Sequence, residues 1–291
     1  MTLRLAGPAG DAAVAAPAAR PRPRWSTYLI FLPAALLAVL AIVGPYITPY
    51  DPTRVVGGAA IAPNATYWFG TDSAGMDVFS RTIAAARVDV LIATVVTLGA
   101  TLGGILIGMF AGMGESHGGL RGLIARGTSR VLDLADAVPL IVIAMVIVAM
   151  FGATELSLSI VLTIVLIPGP ARLTRAETLR VRGEAYLDAA RIGGMRESKL
   201  SLRHVLPNAA IPAVENMSVV FGIAVAIAAA LGFLGVGIAP PTPEWGSMVS
   251  RGTSDLISGR WWSAVFPAVF LGAAIVAVAV AGGAAVRRLR N

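Results

Sequence analysis

Long apolar stretches alternate with shorter polar connections along most of this chain. Six stretches are almost free of charged side chains over lengths at which a helix can cross hydrocarbon: 28–47, 91–113, 131–153, 156–171, 213–240 and 261–286. Backbone polar groups in hydrocarbon must pair within their own segment, so each stretch predicts a membrane-spanning helix. The pattern therefore predicts an all-α membrane protein with about six transmembrane helices.

The composition supports the same conclusion. Hydrophobic residues make up 56% and charged residues only 13% of the 291 residues, whereas roughly a quarter of the residues in soluble domains are charged. The six stretches and their connections use nearly the whole chain, so we expect a single membrane domain over 27–286. The Ala-, Pro- and Arg-rich segment 1–26 is predicted to be a disordered tail.

Arginines are distributed unevenly over the connections. With the amino terminus in the cytoplasm, the arginine-rich segments 121–130, 172–203 and 287–290 fall on the cytoplasmic side. The opposite side then holds only Arg54, Arg81, Arg87, Arg251 and Arg260. Because cytoplasmic loops collect basic residues, we expect both termini, including the tail 287–291, in the cytoplasm. The net charge of +7 then requires no nucleic acid partner.

Several kinds of chemistry lack the residues they need. The chain has no cysteine, and its two histidines, His117 and His204, stand far apart without carboxylates at ligand spacing. No Gly-rich phosphate loop ending in Lys and Ser/Thr occurs, and a Ser/His/Asp triad would have to use His117 or His204, which are both predicted in cytoplasmic loops. We therefore expect no metal, no cofactor and no catalytic site in this chain.

Two groups of residues are expected at the membrane boundaries. Four acidic residues close to membrane depth lie near the predicted span ends: Asp89, Asp133, Asp136 and Glu215. At these positions, solvation of the carboxylates at the interface is favoured over a role in a proton relay. The tryptophans near the opposite boundary are expected to be interface anchors: Trp245, Trp261 and Trp262.

The connection 172–212, here called the long loop, is the most informative polar segment. Glu184 to Ile192 contains good helix formers, and Gly193 and Gly194 supply a stop and a tight turn. A second helix is predicted from Glu197 to about Val205, ending near Pro207. Alanines on nearly one side of the first helix, flanked by charges, favour docking of another protein, although a solvated interhelical loop would show similar spacing.

A family resemblance strengthens the docking interpretation. Asp188-Ala189-Ala190, Gly194 and Leu206-Pro207 resemble the EAA loop of permease subunits from bacterial ATP-binding cassette importers, and Arg203 to Asn208 is similar to the C-type permeases of the dipeptide, oligopeptide and nickel branch. In that family the loop forms a coupling helix seated in a groove of the ATPase. The resemblance assigns ATPase coupling to Glu184, Ala185, Asp188, Ala189, Ala190, Arg191, Gly193, Gly194, Leu206 and Pro207.

Three other segments resemble the same branch in the same order: Tyr50 to Pro52 with Trp68 to Arg81, Arg130 to Pro139, and Leu231 to Met248. Within them the resemblance gives a structural motif of Gly70, Thr71, Asp72, Asp77, Arg81, Arg130, Asp133 and Pro139. Asp72 is expected to cap a short helix starting near Ser73. The chain departs from the branch at Met76, where arginine is usual, at Ala228, where glutamate is frequent, and in its last ten residues.

The resemblance implies a type I importer permease (MetI-like) fold in the bacterial cytoplasmic membrane. Implied partners are the lipid bilayer, a second homologous permease, one or two ATPase subunits that use ATP and magnesium, and an external solute-binding protein. Peptides would then cross by alternating access. The same motifs fit import of nickel or another small solute, and an ATP-independent transporter or channel is the alternative of another class.

Overall fold

The computed structural model describes residues 28–115 and 118–289, and every regular element within them is helical. The tail predicted over 1–26, His117, the side chain of Asp136 and the last two residues lie outside this description. The first elements are a 3₁₀ turn at Leu29–Phe31, α1 at Leu32–Ile47 and α2 at Val78–Gly114. Next come α3 at Gly119–Leu134, α4 at Leu140–Phe151, α5 at Glu155–Leu166 and α6 at Pro168–Arg182.

The long loop is itself helical. It contains α7 at Ala185–Ile192, α8 at Glu197–Leu200, a π-helical turn at Ser201–Val205, α9 at Leu206–Ala209 and α10 at Ile211–Glu215. The chain then forms α11 at Met217–Phe233, α12 at Trp245–Ile257 and α13 at Trp262–Leu289. The tail expected at 287–291 is thus helical as far as Leu289.

Four helices of the described residues are long and apolar enough to cross a membrane: Leu29–Ile47, Val78–Gly114, Glu155–Arg182 and Trp262–Arg288. A fifth candidate is the pair Glu197–Glu215 and Met217–Phe233, which bends by 46°, and Leu140–Phe151 is a shorter apolar helix. These six helical regions overlap the six predicted spans, while their ends differ from the predicted ends.

Three predicted spans differ in their bounds from the helices that overlap them. The helix of the second span begins at Val78, because the Asp77 carboxylate caps it by accepting the backbone N–H of Ser80 at 2.7 Å. The third span does not run unbroken from 131, since the chain leaves helical geometry between α3 and α4 at Val138 and Pro139. The fifth ends at Phe233, well before Pro240.

The core lies between α2, α4, α5 and α11, where buried apolar side chains from all four helices meet. The helices α2 and α6 pack in close contact. Three glycines spaced four apart, Gly104, Gly108 and Gly112, lie against Pro170, Ala171, Thr174 and Thr178 of α6, and a Cβ at any of them would collide with that helix. Small residues at this spacing allow the two backbones to pack closely. Such packing stabilises helix association in a membrane, because the hydrophobic effect does not drive association in lipid.

Candidate functional site

The helix α7 has a defined beginning and end. Glu184 is its extended N-terminal flanking residue, and the helix closes with a Schellman motif. Gly194 adopts φ +82°, its N–H donates to the Arg191 carbonyl at 2.9 Å, and the Met195 N–H donates to the Ala190 carbonyl at 3.1 Å. The predicted helix and the stop at Gly193 and Gly194 are therefore present.

Only one large side chain of α7 faces inward. Leu187 is fully buried in a small cluster with Met113, Val181, Leu200, Val205 and Ala209. Ala185, Asp188 and Ala189 are exposed, Ala190 is half-buried, and Ile192 is 88% exposed. The helix is thus anchored by Leu187, and Ala190 also packs against this cluster, while Ala185, Ala189 and Ile192 form an uncovered surface, here called the α7 surface.

Ion pairs frame the α7 surface. Arg191 pairs with Asp188 at 2.7 Å and with Glu197 of α8 at 2.8 Å. These hydrogen bonds, that of Glu197 first, raise the pKa of Arg191. Arg180 at the end of α6 pairs with Glu177 at 2.6 Å and Glu184 at 2.9 Å. The charges around the alanines are therefore paired and held in defined orientations.

The base of the long loop is fixed to the end of α2. Arg182 donates to the carbonyls of Gly112 at 2.8 Å and Met113 at 3.2 Å, which are among the last carbonyls of that helix. Arg175 pairs with Glu115 at 2.7 Å and with Asp133 of α3 at 3.3 Å. Burial opposes ionisation of Glu115, but hydrogen bonds from Ser129 and Arg175 lower the pKa of its carboxyl. A movement of α7 would therefore be carried to α2 and α3 through these arginines.

The second half of the long loop differs from the prediction. The helix expected to end near Pro207 continues through the π-helical turn 201–205 into α9, with Pro207 in its first turn. A proline inside a helix removes one backbone hydrogen bond, and the π-helical turn directly precedes it. Leu206 is half-buried and Pro207 is exposed, so these two residues lie on the helical return to α11 and away from the α7 turn.

The motif around Asp72 forms a compact turn that does not start a helix at Ser73. The Asp72 carboxylate accepts the backbone N–H groups of Ala74 and Met76, both at 2.9 Å, and Thr71 pairs with Asp77 as an isolated bridge. Gly70 adopts φ +73° beside the Trp262 indole, where a Cβ would collide. The predicted acceptor role of Asp72 is correct, whereas the helix cap is Asp77.

Arg81 connects this turn to two other segments. Its side chain is buried, donates to the carbonyls of Pro52 at 2.7 Å and Pro241 at 3.3 Å, and lies 3.8 Å from the Asp72 carboxylate. The sulfur of Met76 is 2.8 Å from the same guanidinium. The uncharged Met76 thus stands directly against a buried cation, where an arginine would repel it.

The motif of Arg130, Asp133 and Pro139 is divided between two helices. Arg130 is exposed on α3, Asp133 pairs with Arg175, and Pro139 precedes the first residue of α4. These residues therefore do not start one continuous helix. They mark the break between α3 and α4.

Sequence reasoning missed a buried polar cluster at the start of α12, here called the Trp245 cluster. The Asp89 carboxylate, buried within α2, accepts the backbone N–H of Trp245 at 3.0 Å, and the Trp245 indole donates to the Thr82 carbonyl at 2.9 Å. Glu244 caps α12 by accepting the N–H groups of Gly246 at 2.6 Å and Ser247 at 2.8 Å. Burial raises the pKa of Glu244, against these hydrogen bonds.

Two boundary predictions are corrected by this cluster. Asp89 is buried among helices instead of lying at a solvated span end, and Trp245 is fully buried instead of anchoring an interface. Trp262 is also buried and donates to the Thr71 carbonyl at 3.0 Å, whereas Trp261 is half exposed. The sequence placed Asp89 just before the span predicted at 91–113, whereas the helix begins eleven residues before it, at Val78.

Within the described ranges, no group of three or more His, Asp or Glu side chains is arranged to hold a metal ion. His204 packs its ring edge-on against Tyr186 at 6.2 Å between centroids.

Comparison with known proteins supports the resemblance seen in the motifs. Residues 104–291 match the family described as binding-protein-dependent transport system inner membrane component. The probable D,D-dipeptide transport system permease protein DdpC of Escherichia coli K12 is 32% identical over 246 residues, which cover 84% of this chain and 79% of that protein. The di/tripeptide transport system permease protein DppC of Pseudomonas aeruginosa UCBPP-PA14 is 31% identical, with 85% and 82% covered. The glutathione transport system permease protein GsiD of Escherichia coli O1:K1 is 34% identical, with 85% and 80% covered.

Proposed function

Because this chain belongs to the family of inner membrane components of binding-protein-dependent transport systems, we propose that it carries di- or oligopeptides across the cytoplasmic membrane by alternating access driven by partner ATPases. Peptide as the substrate class is supported by the relatives, which are described as permeases for D,D-dipeptides, di- and tripeptides and glutathione. Import of nickel or another small solute is the competing substrate class within the same machinery.

The observation that carries the proposal is the α7 surface. Exposed alanines and Ile192 lie on a helix that is anchored by Leu187. Paired charges lie beside them, so a partner's backbone can approach the alanines closely. A groove in an ATPase subunit would cover this surface, bury the apolar side chains and gain the usual stabilisation of a buried interface core. Gly194 permits the chain to turn back beneath it.

The mechanism follows from the connections at the base of the long loop. ATP binding closes the two ATPases, which displaces α7, and Arg182 and Arg175 transmit the displacement to α2 and α3. The bundle then opens outward to receive peptide from the binding protein, and hydrolysis resets it. ATP and magnesium are used by the partners, and this chain contributes movement and no catalytic group.

The assembly would contain this chain, a second homologous permease, one or two kinds of ATPase subunit and an external solute-binding protein. Both termini and the long loop lie in the cytoplasm in this arrangement, which is supported by the excess of arginine in 121–130, 172–203 and 287–290.

The decisive experiment replaces Ala189 on the α7 surface with arginine. We expect Ala189→Arg to abolish recovery of the ATPase with the tagged chain and to lower peptide uptake at least about tenfold, since bulk at an interface centre is poorly tolerated. The matched control is Ala65→Arg, an exposed alanine in the segment between α1 and α2. Normal uptake by an assembled Ala189→Arg variant would overturn the docking assignment.

Substrate class is tested separately by uptake of labelled dipeptide, tripeptide or nickel with the solute-binding protein of the same system. Stimulation by nickel alone would overturn the peptide assignment and leave the importer mechanism standing. Uptake that continues in ATP-free vesicles under an ion gradient would instead overturn the coupling to ATPases.

A further inference from the structure

The helix α3 carries apolar residues on two opposite sides. One side is buried against the bundle through Gly122, Ala125, Ser129 and Leu132. The other side carries large apolar side chains that are 50–72% exposed: Leu120, Leu123, Ile124, Val131 and Leu134. These five residues follow helical spacing and form one continuous stripe, here called the α3 stripe, directly opposite the buried side.

The way α3 packs shows where the stripe points. The last residues of α2 contact the middle of α3: Gly114 lies against Ala125, and the Ser129 hydroxyl donates to the Glu115 carboxylate at 2.6 Å. In a hairpin running back along α2, the end of α2 would contact the beginning of α3 instead. The helix α3 therefore crosses the end of α2, and its stripe faces away from the bundle at the level where the apolar helices end.

The last turn of α3 is held by α6. Arg172 donates to the Leu132 carbonyl at 3.1 Å, and Arg175 pairs with Asp133 at 3.3 Å. Asp133 is the single acidic residue of this 16-residue helix, and it is engaged by that pair. The helix is also not among the helices long and apolar enough to span a membrane.

The flanks of the stripe are cationic. Arg121 and Arg130 are exposed and form no hydrogen bond or ion pair with any residue in the described parts of the chain. Both lie within the arginine-rich segment that the proposed orientation puts in the cytoplasm. An apolar stripe bordered by arginines is the pattern of a helix lying in the membrane interface, with its apolar side in the acyl chains and its cations at phosphate groups.

We propose that α3 lies in the cytoplasmic interface of the bilayer and binds anionic phospholipid headgroups through Arg121 and Arg130, with the α3 stripe in the acyl chains. This inference rests on the orientation given under the proposed function. The bound lipid fixes α3 from outside, and through Asp133 and Arg175 it steadies the base of the long loop. Zwitterionic lipid offers the same acyl chains without net negative charge. A comparison of anionic with zwitterionic lipid therefore distinguishes binding of the headgroups by the arginines from insertion of the α3 stripe into the acyl chains.

The test uses the full chain, which has no cysteine, so that one introduced cysteine carries a fluorescent label. Leu123→Cys places the label on the α3 stripe, and Ser198→Cys places it on exposed α8 as a control. The purified assembled transporter is put into phosphatidylcholine vesicles containing spin-labelled phosphatidylglycerol or spin-labelled phosphatidylcholine. We expect strong quenching at position 123, stronger with phosphatidylglycerol by up to about fivefold for each arginine, and little quenching at position 198.

Neutralising the flanks completes the test. Arg121→Gln with Arg130→Gln should make the two spin-labelled lipids equal at position 123, whereas Arg54→Gln with Arg260→Gln, two exposed arginines elsewhere, should change nothing. Equal quenching by both lipids in the parent chain overturns the headgroup site. Absence of quenching at position 123 shows that protein, such as the second permease, covers the stripe, and also overturns it. Quenching is measured independently of transport. A transporter that is quenched as expected but imports no peptide would therefore contradict the proposed function and leave the lipid site standing.

Discussion

The Trp245 cluster and the α7 surface use similar residues in opposite ways. In the Trp245 cluster, Asp89 and Glu244 are buried, and both accept backbone N–H groups at the start of α12. On the α7 surface, Asp188 and Glu197 are exposed and pair with Arg191. The first set of contacts is complete within the chain. The second leaves apolar side chains uncovered, as the proposed docking of an ATPase requires.

The difference in burial determines how much each set of contacts contributes to the stability of the chain. A hydrogen bond in a low-dielectric interior is strong, and an unpaired polar group there is costly, so the Trp245 cluster rigidly joins α12 to α2. Exposed ion pairs contribute little to stability because water and salt screen them. We therefore expect substitutions in the cluster to change the stability of the chain, and those on the α7 surface to change partner binding.

The largest expected effect is that of Trp245→Ala. The side chain is fully buried and its indole N–H donates to the Thr82 carbonyl, so its removal should lower the free energy of unfolding by about 3–5 kcal/mol. The measurement is unfolding of the purified chain in mixed detergent micelles. Trp261→Ala is the control, since that side chain is 47% exposed, and it should cost about 1 kcal/mol or less. Equal losses for the two would contradict the burial argument.

A smaller effect is expected at Asp89. Asp89→Ala leaves the Trp245 N–H without its acceptor and should lower the free energy of unfolding by about 1–3 kcal/mol. Asp89→Asn keeps an acceptor oxygen and removes a buried charge near Glu244, so it should cost less than Asp89→Ala. The same unfolding assay checks both. If Asp89→Asn destabilises as much as Asp89→Ala, the negative charge itself is required.

The smallest effect on stability is expected at Arg191. Arg191→Met removes both ion pairs of the α7 surface, with Asp188 and Glu197, and should change the free energy of unfolding by only about 0.2–1 kcal/mol. Recovery of the ATPase with the tagged chain should fall more clearly, because Asp188 and Glu197 would then face the partner unpaired. A large loss of stability would mean that the exposed pairs hold α7 in place, and would remove the contrast with the Trp245 cluster.

The helices were predictable because long apolar stretches have few alternatives in a membrane, but several ends were not. Val78 begins α2 because Asp77 caps it, and the sequence offered Asp72 as an equally good cap a few residues earlier. Both carboxylates accept backbone N–H groups, and only the fold decides which one precedes a helix. At Gly194 the prediction succeeded, because a left-handed residue following a helix strongly favours glycine.

The α7 surface and the Trp245 cluster also differ in whether the local sequence could predict them. The α7 surface depends on residues close together in sequence, so spacing and resemblance located it. The Trp245 cluster joins Asp89 to Trp245 across 156 positions. No local pattern identifies such a pair, and the tryptophan was assigned to the interface because tryptophans are enriched there.

The sequence by itself determined the membrane class, the helical fold, the family and the position of the α7 turn, because each follows from local composition, period or motif. The tertiary structure decided which polar residues are buried, which helices continue through proline, and that α3 crosses the end of α2 with an apolar stripe exposed. The physical reason is that burial and pairing depend on segments distant in the chain, and a backbone or side-chain group finds its partner only when the whole bundle has packed.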